Sequence, residues 1–97
     1  MNDANDKYSW DTEKRESIIK ERGLDIVEWA DLVFADPDGF IIPDERTDYG
    51  EARYLAFALI NGRHICLCFT PRAGKKHLIT IFRIKEKTWR KYYGNKS

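Results

Sequence analysis

The chain has 97 residues, is 42% apolar and 34% charged, and carries a net charge of +1. That length suits one domain, read as residues 1–97, with enough core to fold without metal or disulfide staples. No apolar run approaches the roughly 20 residues of a membrane span, and the polar, acidic N-terminus lacks a signal-peptide stretch. A soluble chain with a cytoplasmic location is therefore expected.

The near-zero charge hides an asymmetry. Residues 1–50 hold six basic and 14 acidic side chains, a net of −8, whereas residues 51–97 hold 11 basic and two acidic, a net of +9. A basic segment of this kind suits a polyanion. Mutual neutralisation of the two halves across one fold is the competing reading.

In chain order, residues 1–6 are polar and expected to be disordered. Lys7-Tyr8-Ser9-Trp10 reads as a short strand. Asp11 is placed to cap a helix that runs to Arg22 and stops at Gly23. A second helix is predicted from Asp25 to Phe34, with Ile26, Trp29, Ala30, Val33 and Phe34 at helical spacing toward the core. Asp36-Pro37-Asp38-Gly39 ends it.

Phe40-Ile41-Ile42 is a short strand that Pro43 ends or places on an edge. Asp44 to Gly50 is a polar loop. Ala52 to Ile60 and Arg63 to Thr70 form two strands around an Asn61-Gly62 turn, a strong hairpin signal. A looser hairpin at Pro71 to Lys76 leads to a strand over His77 to Lys85. Glu86 to Tyr93 is a short terminal helix stopped by Gly94. The layout is α+β: an antiparallel sheet of about four strands, two N-terminal helices packed on it, and a short C-terminal helix.

Strand alternation groups the candidate chemistry. Arg53, Leu55, Phe57 and Leu59 share one side of their strand, and Ile79, Ile81 and Arg83 share one side of another. Arg suits phosphate because its planar fork gives two parallel hydrogen bonds and stays charged. Arg53 and Arg83 are expected to converge on one phosphate. Arg72, Lys75, Lys76 and Lys85 are candidates for binding an RNA backbone. RNA carries its own nucleophile, so a protein can cut it without metal by orienting the 2′-hydroxyl, moving protons and stabilising charge. Glu51, two residues before Arg53, could move a proton or merely pair with an Arg. Tyr92 and Tyr93 could stack on bases or donate a proton, or pack the terminal helix.

Cys66 and Cys68 lie two positions apart; on a strand their Cα atoms would be about 7 Å apart, which makes a disulfide awkward. Reduced thiols fit a cytosolic chain. His64, Cys66 and Cys68 share a strand face, but no fourth ligand and no Cys-x₂-Cys pair accompany them, so no metal and no cofactor are expected. His77 reads as a polar residue entering a strand. Trp10, Trp29 and Trp89 read as packing anchors.

Several pieces, in order, resemble the BrnT toxin family: Trp10-Asp11 with Lys14, Gly23, Val33-Phe34-Ala35-Asp36-Pro37, Gly50-Glu51-Ala52-Arg53, and a late strand with Arg83 ahead of a basic helix. The resemblance covers about residues 8 to 93. It implies a RelE-like fold and a type II toxin that cuts messenger RNA and inhibits translation. It also implies a BrnA-like antitoxin of ribbon-helix-helix type, through which operator DNA is bound. The family's Glu-x-Arg falls on Glu51 and Arg53, and its late Arg on Arg83. With Tyr93 these are the catalytic candidates. The chain departs from the pattern at Ile18, where an Asn is common, at Arg22, where a His is common, and at Phe69, where a His often precedes Thr70. A module of the same fold that binds RNA or antitoxin with weakened catalysis is the alternative reading.

Overall fold

The computed structural model describes residues 1–46, 48 and 50–94. In chain order the elements are β1 (Asn2–Ala4), β2 (Tyr8–Asp11), α1 (Thr12–Arg22), α2 (Ile26–Ala35), β3 (Phe40–Pro43), β4 (Tyr54–Ile60), β5 (Arg63–Arg72), β6 (Lys75–Arg83) and α3 (Glu86–Tyr93). All six strands join one sheet in the order β1-β2-β6-β5-β4-β3.

Local chemistry explains the helix ends. Asp11 has extended backbone angles and accepts the Lys14 N–H at 3.0 Å, closing the first turn of α1. Gly23 sits at φ 68° in the left-handed region, and its N–H reaches the Ile19 carbonyl at 2.9 Å. Asp25 caps α2 through Val27 N–H at 3.1 Å. The same carboxylate takes two bonds from Arg15 at 2.9 and 2.8 Å, which ties α1 to α2.

The sheet has a layer on each side. α1 and α2 cover one face, where Trp10, Ile18, Leu24, Ile26, Ala30, Val33, Ile65, Leu67, Leu78 and Ile81 are buried together. α3 covers part of the other, packing Trp89 and Tyr92 against Leu55, Phe57, Cys66, Cys68, Phe40 and Phe82. Burying one side chain of this size contributes about 1.5–3 kcal/mol, so the two layers dominate the stability of the sheet. The three tryptophans pack as anchors, with Trp29 against the α1/α2 core.

Several expectations are corrected. The sheet has six strands rather than about four, because β2 lies parallel beside β6 (Tyr8↔Lys76, Trp10↔Leu78) and β1 adds antiparallel outside β2 (Asn2↔Asp11, Ala4↔Ser9). The segment expected to be disordered thus supplies an edge strand; ladder bonds to β2 compensate for its polar composition. The hairpin expected to be loose is tight: Arg72 pairs with Lys75 across a two-residue turn. Ala73 and Gly74 there have φ 51° and 78°, matching Asn61 and Gly62 at φ 51° and 77°. Both are turns with two left-handed residues.

The correction with most consequence is a bulge in β6. Phe69 pairs with Leu78, but Cys68 pairs with Thr80, leaving Ile79 without an opposite residue. An extra residue reverses the facing of everything beyond it. Ile79 therefore packs on the α3 side while Ile81 lies under α1 and α2. The expected row of Ile79, Ile81 and Arg83 does not exist.

Candidate active site

Arg83 pairs with Ile65 and follows Ile81 by two, so it belongs to the α1/α2 side of the sheet. There it borders a hollow with Glu21, Arg22 and Leu24. Arg53 precedes Leu55 by two and belongs to the α3 side; its carbonyl accepts the Asp44 N–H at 2.8 Å, extending the β3–β4 ladder. Arg53 lies level with His77, and six residues separate His77 from Arg83 along β6, or roughly 20 Å at strand rise. The two guanidinium groups expected to meet on one phosphate lie on opposite faces and near opposite ends of the sheet.

Arg53 instead converges with Arg72. Both donate to Glu51, Arg53 Nε to Oε2 at 3.2 Å and Arg72 Nη2 to Oε1 at 3.1 Å. These groups line a cleft of about 200 Å³ with Asp11, Lys14 and His77. The ladder explains why. Ser9 of β2 pairs with His77 of β6, His77 with Thr70 of β5, and Arg72 with Lys75 at the turn. Alternation puts all of these on the α3 side. α3 covers the other end of that face, over Phe57 and His64, and leaves this end open.

The cleft's electrostatics follow from its neighbours. The Arg72 guanidinium, then that of Arg53, holds the Glu51 carboxyl below its usual range. His77 is buried, at 8% exposure. Burial first, and Arg72 second, hold its imidazole below the ordinary value, with Glu51 and Asp11 pulling the other way. Its Nδ1 lies 2.9 Å from Ser9 Oγ. Thr70 Oγ1 donates to the Ala52 carbonyl at 2.6 Å, anchoring the segment that carries Glu51 and Arg53.

The remaining candidates scatter. Tyr93, on α3, rests its ring against Phe40 at 5.7 Å, and its neighbour Tyr92 packs on Phe57 at 4.9 Å. Lys75 pairs with Arg72 across the β5–β6 turn and lines the neighbouring hollow together with Lys76, whose Nζ lies 5.0 Å from the Phe34 ring centroid. Lys85 is the exposed residue before α3. Cys66 and Cys68 are buried free thiols. Burial pushes the Cys66 thiol up to about 12 and raises Cys68 as well, so neither is a thiolate at neutral pH. The His64 ring lies tilted against Trp89, with centroids 4.8 Å apart, and among the described residues no group of three His, Cys, Asp or Glu side chains is arranged to hold a metal ion.

A larger hollow of about 560 Å³ lies beside the β5–β6 turn, next to Lys7, Tyr8, Phe69 and Lys76. Its aromatic lining is committed to packing, with Phe69 against Phe34 at 5.1 Å and Tyr54 at 5.6 Å. The smaller cleft is the one that gathers two carboxylates, two guanidiniums and an imidazole.

A family model described as the ribonuclease toxin BrnT of type II toxin-antitoxin systems matches residues 10–87. The chain belongs to the BrnT family. No curated protein and no solved structure matches it. BrnT membership gives the chain the role of a ribonuclease toxin with an antitoxin partner. The BrnT match begins at Trp10 and ends at Lys87, so it contains every charged residue of the cleft and excludes Tyr93. Among the described residues no helix is long and apolar enough to cross a membrane.

His77 is the cleft residue that the sequence marks only as a polar residue entering a strand. The signal available was weak: a histidine at the start of a strand that also carries the late Arg. The sequence marks Arg72 as an RNA-backbone contact, and the structure places it beside Arg53 on Glu51.

Proposed function

We propose that the chain is a metal-independent endoribonuclease that cuts messenger RNA in the cytoplasm and so inhibits translation. In this reading Arg53 and Arg72 bind the scissile phosphate, and Glu51 holds the two forks in place. Lys14 and Lys75 extend the positive surface along the backbone. The observation that carries the reading is the single Glu51 carboxylate gripping two guanidiniums beside a buried imidazole. Phosphate entering the cleft meets preorganised donors aimed at the oxygens where charge develops, in a geometry Arg is suited to fork.

Cleavage needs no external nucleophile. The 2′-oxygen of the substrate attacks the adjacent phosphorus, and the 5′-oxygen leaves. The protein's contribution is alignment, charge stabilisation and proton transfer. Arg83, Tyr93, Lys76 and Lys85 have no part at this cleft in the reading; Arg83 is assigned to the opposite face.

The departures from the family pattern fall outside the cleft. Ile18 is core, at 3% exposure, and Phe69 is buried in the aromatic stack. Arg22 Nη1 donates to Thr80 Oγ1 at 2.8 Å and to the Ile81 carbonyl at 3.1 Å, fixing the end of α1 to β6. None of the three lines the cleft. The α+β layout supports a RelE-like ancestry, and the partner in this reading is a BrnA-like ribbon-helix-helix antitoxin that brings the complex to operator DNA.

The test is cleavage of single-stranded RNA by purified protein in excess chelator. The wild type is expected to cut. Arg53→Ala and Arg72→Ala are each expected to cut at least about 100-fold more slowly, the scale seen when one charge-stabilising donor is removed, with circular dichroism unchanged. RNA retained on a filter but left intact would favour the binding module, and intact, unretained RNA would defeat both.

A further inference from the structure

Glu51 is the obvious proton acceptor by residue type, but its surroundings suit it poorly. Each carboxylate oxygen already accepts from a guanidinium, Oε2 from Arg53 and Oε1 from Arg72. Protonating Glu51 would weaken both pairs at the moment the arginines are needed on the phosphate. A group tied in this way orients its partners better than it accepts protons.

His77 stands in the contrasting position. It lines the same cleft and is held in the ladder between Ser9 and Thr70. Its Nδ1 is engaged by Ser9 Oγ at 2.9 Å. Its Nε2 is not sealed off: among the described residues the one buried side-chain nitrogen or oxygen without a partner is Trp10 Nε1. The charged groups around the ring come from every neighbouring element: Asp11 from β2, Lys14 from α1, Arg72 from β5, and Glu51 and Arg53 from the segment before β4. Burial and Arg72 favour the neutral ring over the pull of Glu51 and Asp11, and a neutral imidazole is the form that can take a proton.

Resting on the endoribonuclease reading above, we propose that His77 is the general base of this site, oriented by Ser9, and that Glu51 is a positioning residue for Arg53 and Arg72. With Nδ1–H donated to Ser9 Oγ, Nε2 presents its lone pair to the 2′-hydroxyl. The 2′-O–H proton passes to Nε2 as the 2′-oxygen bonds to phosphorus. The P–O5′ bond breaks, its electron pair stays on the 5′-oxygen, and that oxygen takes a proton from solvent. The imidazolium returns its proton to solvent. The products are a 2′,3′-cyclic phosphate and a 5′-hydroxyl.

The pH dependence of kcat/KM on a short RNA oligonucleotide separates these roles. The wild type is expected to lose activity as pH falls, as His77 becomes protonated. His77→Gln is expected to be slower by about 100-fold or more, the scale of a lost general base, and to lose that acid limb. Glu51→Gln is expected to keep the limb and mainly raise KM. A His77→Gln protein that cuts with the wild-type acid limb overturns the proposal, as does loss of the limb in Glu51→Gln alone. If His77→Gln does not fold, the His77 ring titration followed by NMR in the wild type replaces it: coincidence with the kinetic limb supports the assignment, and a mismatch overturns it. A wild type that cuts no RNA at any pH defeats the endoribonuclease reading and this assignment with it, an outcome distinct from the others.

Discussion

Ala73 shows how a local cost is tolerated for a global register. It has φ 51° in a turn whose partner residue is Gly74 at φ 78°. An L-residue with a Cβ is disfavoured there by about 1–2 kcal/mol, yet the turn is kept because it sets Arg72 opposite Lys75 and, two pairs further, Thr70 opposite His77. The other hairpin uses Asn61 at the same φ of 51°. Ala73→Asn is therefore expected to stabilise the fold by about 0.5–1 kcal/mol, because Asn adopts left-handed angles more readily. The check is a higher urea midpoint at an unchanged slope. The candidate site itself was half legible at this scale. Glu51 and Arg53 stand two apart and could be read together. His77 could not, since its Ser9 partner is 68 residues away in sequence.

At the scale of elements, two joints decide where the cleft forms. The first is the β6 bulge at Ile79, which sends Arg83 to the helix-covered face. The second is the link between α1 and α2. Asp25 both caps α2 and holds Arg15, whose guanidinium lies 5.6 Å from the Trp10 ring centroid. The Arg15 bond holds the Asp25 carboxyl below its ordinary value. A folded-state pKa below the unfolded one means the unfolded chain binds the proton first as pH falls. The stabilisation is thus present above the unfolded carboxylate value, about 3.9, and is lost as pH drops toward the lower folded value. Asp25→Asn keeps a capping side chain but removes the charge. It is expected to cost about 1 kcal/mol at pH 7, or roughly 4–8 °C in Tm for a chain of this size. It should also show a smaller loss of Tm than the wild type between pH 5 and pH 3 (roughly the window of carboxylate titration). Thermal melts at stepped pH measure both.

Across the described residues, several ion pairs join side chains of the same half of the chain. Lys7–Asp31, Arg15–Asp25 and Arg46–Asp44 pair within residues 1–50, and Arg53–Glu51, Arg72–Glu51 and Arg90–Glu86 pair within residues 51–97. Each of these pairs stays within its own half, so it leaves the basic half's excess in place. In the proposed reading RNA runs over the α3-side end of the sheet, where Lys14, Arg53 and Arg72 line the cleft and Lys75 flanks the adjoining turn. Four phosphate contacts to single-stranded RNA give a slope of about −3 in log affinity against log salt. Filter binding of the His77→Gln protein across salt concentrations is the measurement. A slope near zero would remove the electrostatic account, and Arg72→Ala should flatten the slope by a little under one.

The sequence alone determined the helices, the Asn61-Gly62 hairpin, the α+β class and the basic character of the second half. Each of these depends on neighbours in the chain: a capping Asp, a left-handed Gly, a repeat of apolar positions, a sum of charges. The resemblance to BrnT also rested on spacing within the chain, and the family match carries it. Which groups share a cleft was decided only by the tertiary structure. One unopposed residue in β6 reverses the facing of every side chain after it, and nothing in the apolar pattern of Leu78, Ile79 and Ile81 distinguishes a bulged strand from a regular one. Ladder register is a property of pairs of strands, so the meeting of Ser9, Glu51, Arg72 and His77 exists only once those strands are side by side.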